Sequence, residues 1–398
     1  MRTTIATLAA AAVLALAPPA SAAQDDAALN ASLQKAVDGY VASRAKPEHI
    51  SAISVCVALK GAPCTSFVAG TKRYPNAGPK VVPADLFEIG SITKSFTSVA
   101  ILHLEAQGKL TIEDPLGKWL PQYPAWKNVK IRTLLDMTSP IPTYDGTATI
   151  GDKMGNDPNH KFTPQELVAA AYPHNGVPKP VSGWTYSNTN YVLSQLIVEK
   201  ASGKPYADVV RDVFGQVGLK STYYEQFFYP AAITDRMVSG YFFNTDPGNE
   251  PLKPLLGKDV RTDSVSWMQG AGGIVSSPAD VAAWARALYE GPLLADKQRR
   301  ELETVVSMKT GKPIAAASDA DPLAFGLGVG QGHRPGLGTF WFYQGETLGY
   351  RVLYGYFPSS GAVIVIALNS QPPEKQNENG KLMQQLYGIL EKAGKLSS

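Results

Sequence analysis

The sequence predicts an α+β fold in which an antiparallel sheet flanked by helices is interrupted by an inserted, mostly helical lobe. Three observations carry that expectation. Strand-like segments gather near both ends of the 398 residues, with helix and loop between them. The chain is 44% hydrophobic and 18% charged, too apolar to remain disordered. Its length exceeds one typical compact unit, so two lobes or one large domain are expected.

The elements follow in order. Arg2, an apolar run over 5–18 and Ala20-Ser21-Ala22 read as an export signal cleaved after residue 22. The apolar run is too short to span a bilayer, so a periplasmic or secreted protein with no transmembrane segment is expected. Leu29, Leu33, Val37, Tyr40 and Val41 recur at helical spacing within 27–45. Strands are predicted over 53–59, 64–69 and 86–89, then a helix from Ser91 to Leu104 that Gly108 ends. Thr163-Pro164-Gln165-Glu166 is a capping box with proline at the first helical position. An amphipathic helix over 190–201 closes on Gly203, and 244–258, rich in Pro and Gly, is expected to be an exposed loop. Ser277-Pro278 opens a helix that Gly291 stops. Strands over 325–329, 340–343, 350–357 and 362–368 precede a closing helix over 380–393. These elements divide into an α/β lobe, 23–105 with 266–398, and a helical lobe, 106–265. A cleft between lobes is the usual place for a small-molecule site.

Composition excludes several functions. Lysine plus arginine number 37 against 34 acids, and removing residues 1–22 takes away one arginine, so net charge falls from +3 to +2. With no basic stripe, nucleic-acid binding is not expected. Five scattered histidines show no metal-ligand spacing, so neither metal nor cofactor is predicted. Gly326, Gly328, Gly330 and Gly332 alternate in strand phase and do not fit G-x-G-x-x-G. No G-x-S-x-G elbow exists. Cys56 and Cys64 flank Lys60-Gly61-Ala62 in a candidate hairpin. A disulfide and two small buried apolar residues are both open readings.

The chemistry-bearing signal is Phe87-Glu88-Ile89-Gly90-Ser91-Ile92-Thr93-Lys94-Ser95-Phe96. Ser91 sits where a strand gives way to a helix, whose free N–H groups and partial positive charge point at the hydroxyl. Lys94 lies one turn along the same face. A serine needs an adjacent base to become a nucleophile, and a lysine serves only if burial lowers its pKa from ~10.4. The same S-x-x-K spacing at Ser32–Lys35 and Ser43–Lys46 lies on a polar helix face and reads as surface. A second motif is Gly183-Trp184-Thr185-Tyr186-Ser187-Asn188-Thr189-Asn190-Tyr191. A phenol near a lysine ammonium should ionise more easily and suit a general base, and the Asn188 amide can hold a substrate carbonyl.

Together, F-x-I-G-S-x-T-K-S-F and Y-S-N-T-N-Y resemble the penicillin-recognising serine hydrolases. The similar branch holds class C β-lactamases, D-alanyl-D-alanine carboxypeptidases, D-aminopeptidases and β-lactamase-like esterases. The resemblance covers about 53–370 and includes Ser266-Trp267-Met268-Gln269-Gly270-Ala271-Gly272. It implies a β-lactamase/transpeptidase-like fold and acyl transfer through a serine ester. Ser91 would be the nucleophile, Lys94 its proton partner, Tyr186 the general base and acid, Asn188 a carbonyl ligand and Trp267 a cleft wall.

The family's third motif, K-T-G or H-x-G, lies on a strand lining the cleft. A literal Lys309-Thr310-Gly311 precedes the glycine-rich stretch instead of following it and is expected in an exposed loop. Tyr343-Gln344-Gly345-Glu346 is the positional equivalent. There a phenol replaces a cation or neutral imidazole, and the N–H groups of Glu346 and Ser91 would form the oxyanion hole. That weakens the grip on a substrate carboxylate. Arg334 and Arg351 are candidate substitutes, each expected at the surface. The first reading is an exported D-alanyl-D-alanine carboxypeptidase-like or D-amino-acid peptide hydrolase, acting on an amide or ester bond in a cell-wall peptide or β-lactam. The alternatives, in order, are a β-lactamase-like carboxylesterase, a class C-like β-lactamase and a non-catalytic binding protein.

Overall fold

The computed structural model describes residues 20–173 and 183–396. The predicted export signal lies, up to residue 19, outside them. Among the described residues no helix is long and apolar enough to cross a membrane.

Among the described residues fifteen strands are present, and the first seven are β1 (Ala52–Ala58), β2 (Thr65–Arg73), β3 (Ala77–Lys80), β4 (Phe87–Glu88), β5 (Thr222–Tyr224), β6 (Tyr241–Phe242) and β7 (Ile274–Ser276). Next come β8 (Val305–Ser307), β9 (Pro313–Ile314), β10 (Leu323–Phe325) and β11 (Gly330–Arg334). The last four are β12 (Gly338–Glu346), β13 (Arg351–Phe357), β14 (Ala362–Leu368) and β15 (Ser370–Gln371). Ten of them form one sheet, ordered β3-β2-β1-β14-β13-β12-β11-β10-β8-β9. Its central pairs are antiparallel, with Ile53 opposite Leu368 and Arg351 opposite Leu368 on the other side.

The central strands are apolar at nearly every position because the sheet is covered on both faces. Side chains alternate between faces. On β14, Val363, Val365 and Ala367 join the larger core, while Ile364, Ile366 and Leu368 join a second one. The second core is closed by the helices Ala20–Arg44 and Asn379–Lys392, which supply Leu33, Val37, Leu382 and Leu386. The larger core takes in the helices Thr93–Ala106, Asn188–Ser202 and Pro278–Tyr289. Phe96 stacks on Trp284 there, with ring centroids 3.6 Å apart, so the serine-bearing helix is keyed to the helix lying on the sheet.

Local signals hold where backbone chemistry set them. Thr163 Oγ1 accepts from the Glu166 N–H and Glu166 reaches back to the Thr163 N–H, completing the capping box. Gly203 ends its helix in the left-handed conformation, as a glycine at a helix C-terminus predicts. Cys56 and Cys64 are joined as a disulfide, although Cys64 lies just ahead of β2 and Cys56 faces Ser66.

Three expectations need correction. Residues 244–258 are not simply an exposed loop: Glu250–Leu255 forms a 3₁₀ helix with Leu255 buried. Pro251 seats against Gly151 and Gly155, and any side chain at 155 would collide with the Pro251 carbonyl. The strand expected over 325–329 ends at Phe325, because Gly328 turns with φ +79° against the carbonyl of Lys94 and the hydroxyls of Ser98 and Tyr191. Arg351 is not at the surface. It is 1% exposed and pairs with the fully buried Glu48 at 2.8 Å, also donating to the Ser370 carbonyl and Asn377. A buried charge must be paired, and this one is committed to the scaffold. Arg334 is exposed at the end of β11.

Candidate active site

Short β4 leads into a 3₁₀ turn over Gly90–Ile92, and the α-helix proper begins at Thr93, two residues after Ser91. Ser91 is half-buried at this entrance and Lys94 is fully buried one turn on. Lys94 Nζ donates to Ser91 Oγ at 2.9 Å and to the Ala271 carbonyl at 2.7 Å. It also lies 4.9 and 5.6 Å from the ring centroids of Tyr186 and Tyr191. Burial brings its ammonium down to about 7, with Asp145 opposing the change.

Tyr186 comes from the loop entering the helix Asn188–Ser202, and its hydroxyl donates to Ser91 Oγ at 2.6 Å. Met137 fixes that loop: its carbonyl accepts from the Thr185 N–H at 3.0 Å and its sulfur from the Ser187 N–H. The expectation that a neighbouring ammonium eases ionisation of Tyr186 is overturned. Burial pushes the phenol upward, and hydrogen bonding to Ser91 offsets only part of that. The group poised near neutrality is Lys94, and Tyr186 holds its proton.

The third side of the site is the end of β12. Thr347 donates its N–H to the Tyr350 carbonyl at 3.0 Å, closing the turn into β13. Antiparallel alternation therefore sends residues 343, 345 and 347 to β13 and turns the Glu346 N–H to the opposite edge. On that edge β11 pairs only with Gly338–Phe342, so 344–346 project past its end. Gly90 and Ser91 fill the gap. A Cβ on Gly345 would come 1.8 Å from the Ile89 carbonyl oxygen, and one on Gly90, at φ +48°, 2.6 Å from the Glu346 nitrogen. Only glycine fits at either position, and the close approach brings the Ser91 and Glu346 N–H groups toward one space.

Tyr343 lies on β12 beside Tyr186, 5% exposed, with its hydroxyl buried and making no well-directed hydrogen bond. Lys309-Thr310-Gly311 forms the exposed turn between β8 and β9, packed on Gly183 and Trp184. Ser91, Tyr144, Asn188, Trp267, Gly272 and Glu346 line the cleft.

Sequence reasoning missed Tyr144 and Asp145. The buried Tyr144 hydroxyl donates to the Trp267 carbonyl and steadies that wall. Asp145 Oδ2 accepts from Asn188 Nδ2 at 2.8 Å, and Thr143 donates to its other oxygen. This changes Asn188, whose N–H₂ was expected to hold a substrate carbonyl and is instead turned to a carboxylate. No local pattern around Tyr144-Asp145-Gly146 announced a carboxylate at the site. Behind Trp267 a separate acidic cavity is lined by Glu88 and Asp263, which burial raises to about 8 and about 6. Among the described residues that line it there is no lysine or arginine.

The Beta-lactamase family model matches residues 33–387, and the chain belongs to that family of serine hydrolases. Penicillin-binding protein 4* of Bacillus subtilis is 31% identical over 234 residues, 58% of this chain and 50% of that protein. This chain therefore spans about half the length of that relative. D-amino acid amidase from Ochrobactrum anthropi, complexed with L-phenylalanine amide, superposes with a TM-score of 0.77 at 22% identity, covering 92% of this chain and 99% of that one. The D-alanine carboxypeptidase AmpC from Burkholderia cenocepacia gives 0.67 at 20% identity, over 90% and 99%. At these identities the two structures establish the β-lactamase/transpeptidase-like fold.

Proposed function

We propose that this chain is a serine acyl hydrolase that forms an ester on Ser91 and cleaves amides of D-amino acids or D-amino-acid peptides. The observation that carries the reading is Ser91 Oγ held between Lys94 Nζ and the Tyr186 hydroxyl, with Lys94 brought down to about 7. Neutral Lys94 takes the Ser91 proton as Oγ bonds to the substrate carbonyl carbon. The carbonyl electron pair moves onto oxygen, facing the Ser91 and Glu346 N–H groups. When the pair returns, the C–N bond breaks, the leaving nitrogen takes the Tyr186 proton, and Lys94 restores it to the phenolate. Water then repeats the sequence on the ester, and Ser91 leaves with its proton regained.

The D-amino acid amidase and D-alanine carboxypeptidase folds support the substrate class, and the two lobes, 23–105 with 266–398 and 106–265, would meet at this cleft. The disulfide supports an oxidising compartment, and so the reading of the chain as exported. A second reading, a carboxylesterase, is favoured by Tyr343 standing at the position equivalent to the lysine of the K-T-G motif. The test is labelling with a fluorescent penicillin, followed by intact mass, beside turnover of p-nitrophenyl acetate. Modification or turnover that vanishes in Ser91→Ala supports the reading. Activity that survives Ser91→Ala, or a protein inert to both reagents, overturns it.

A further inference from the structure

The rim of the cleft presents acceptors. Asp145 stands on one side, carried by the loop before residue 148, and its carboxylate can only accept, so the Asn188 group facing it at 2.8 Å is the N–H₂. The remaining Asn188 atom, Oδ1, is therefore an acceptor as well. Glu346 stands on the other side at the end of β12, its carboxylate fixed by the amides of Gln344, Gln371 and Asn377. Glu346 and Asn188 line the cleft itself, Asp145 backs Asn188, and both carboxylates act electrostatically on Tyr186, Asp145 also on Lys94.

No cation balances them among the described residues that line the cleft. Lys94 is buried beneath Ser91, Arg351 is locked to Glu48, and Lys309 lies on an exposed turn outside the lining. The buried Tyr343 hydroxyl, without a well-directed partner, adds a neutral group where a carboxylate-binding cation would stand. A carboxylate entering this cleft meets two like charges and an amide oxygen, whereas an ammonium meets three acceptors.

We propose, on the acyl-hydrolase reading above, that Asp145, Asn188 and Glu346 make this site selective for substrates with a free ammonium next to the scissile carbonyl. The enzyme then works from the amino end, on amino-acid amides and N-terminal residues, and not as a carboxypeptidase. Asp145 and Asn188 hold the ammonium directly, and Glu346 adds charge from the opposite rim.

The test compares D-alaninamide, N-acetyl-D-alaninamide and N-acetyl-D-alanyl-D-alanine on the full chain, reading kcat/KM for each. The free-amine amide should lead both acetylated compounds by about tenfold or more, the scale of one charge-assisted contact. Asp145→Asn and Glu346→Gln should each shrink that ratio, mainly through KM for the free amine. Reading a ratio between substrates removes any general loss of activity in the variants. Equal or faster cleavage of an acetylated compound, no cleavage of D-alaninamide, or a ratio untouched in both variants overturns the proposal. Ser91-dependent turnover of p-nitrophenyl acetate stands apart from these outcomes. If that turnover persists while amine selectivity fails, the acyl hydrolase survives and only the ammonium site is lost.

Discussion

Replacing Lys94 by methionine should end hydrolysis yet stabilise the protein, and the gain should depend on pH in a defined direction. An unfolded lysine keeps its proton to about 10.4, while the folded one releases it near 7. Between those values the unfolded chain binds more protons, so wild-type stability climbs with pH. Above the unfolded value the buried amine carries no titration penalty. As pH falls the penalty grows, and it levels off below 7. At ~1.4 kcal/mol per pH unit it reaches roughly 4 kcal/mol at pH 7. Methionine removes that penalty but leaves the Ala271 carbonyl without its 2.7 Å partner, a cost of about 1–3 kcal/mol. A net gain of about 1–3 kcal/mol remains near neutrality. Urea unfolding of both proteins at pH 7.5, 8.5 and 9.5 measures the more telling quantity. The stability gap should move in favour of wild type by about 1.4 kcal/mol per pH unit. A gap that stays constant over that range would mean Lys94 keeps its charge in the folded protein, and the assignment of Lys94 as base would fall.

Other outcomes follow from the same geometry. The rate constant kcat/KM toward an uncharged ester should rise as pH passes through about 7 and then level, because only neutral Lys94 can accept the serine proton. Tyr186→Phe should lower kcat by about 10²–10⁴-fold, measured with an amide whose leaving group needs a proton. Gly345→Ala should cost about 10²–10³ in kcat, since its Cβ would strike the Ile89 carbonyl and push the Glu346 N–H out of position. Arg351→Met should destabilise by about 3–5 kcal/mol in urea titration while leaving KM unchanged, because its partner is Glu48 and not substrate.

Legibility in the sequence followed the range of the interactions. The run at 362–368 was readable as a strand to the residue, because burial on both faces makes it continuously apolar. The Thr163 cap and the Gly203 stop were readable because each is settled within four residues. Ser91 and Lys94 were readable because a strand-to-helix boundary and one helical turn place them together. What escaped depended on distant partners. Arg351 resembles any strand-end arginine until Glu48, some three hundred residues earlier, is folded beside it. The direction of the Asn188 amide is decided by Asp145, forty-three residues away. The phenol of Tyr186 was misjudged because its ionisation reflects how deeply the cleft buries it, a property no short motif carries.

The placement of β1 beside β14 bears on how the chain acquires activity. Synthesis delivers the serine helix first, and β14 and the 344–346 edge follow it far along the chain. Such distant pairings make assembly slow, since loop closure must precede the contacts that reward it. A nascent chain stopped before residue 338 carries Ser91, Lys94 and Tyr186 without the strand that completes the oxyanion pocket. On the proposed mechanism, such a chain would keep the serine and its two proton partners but lack one of the N–H groups that face the substrate carbonyl.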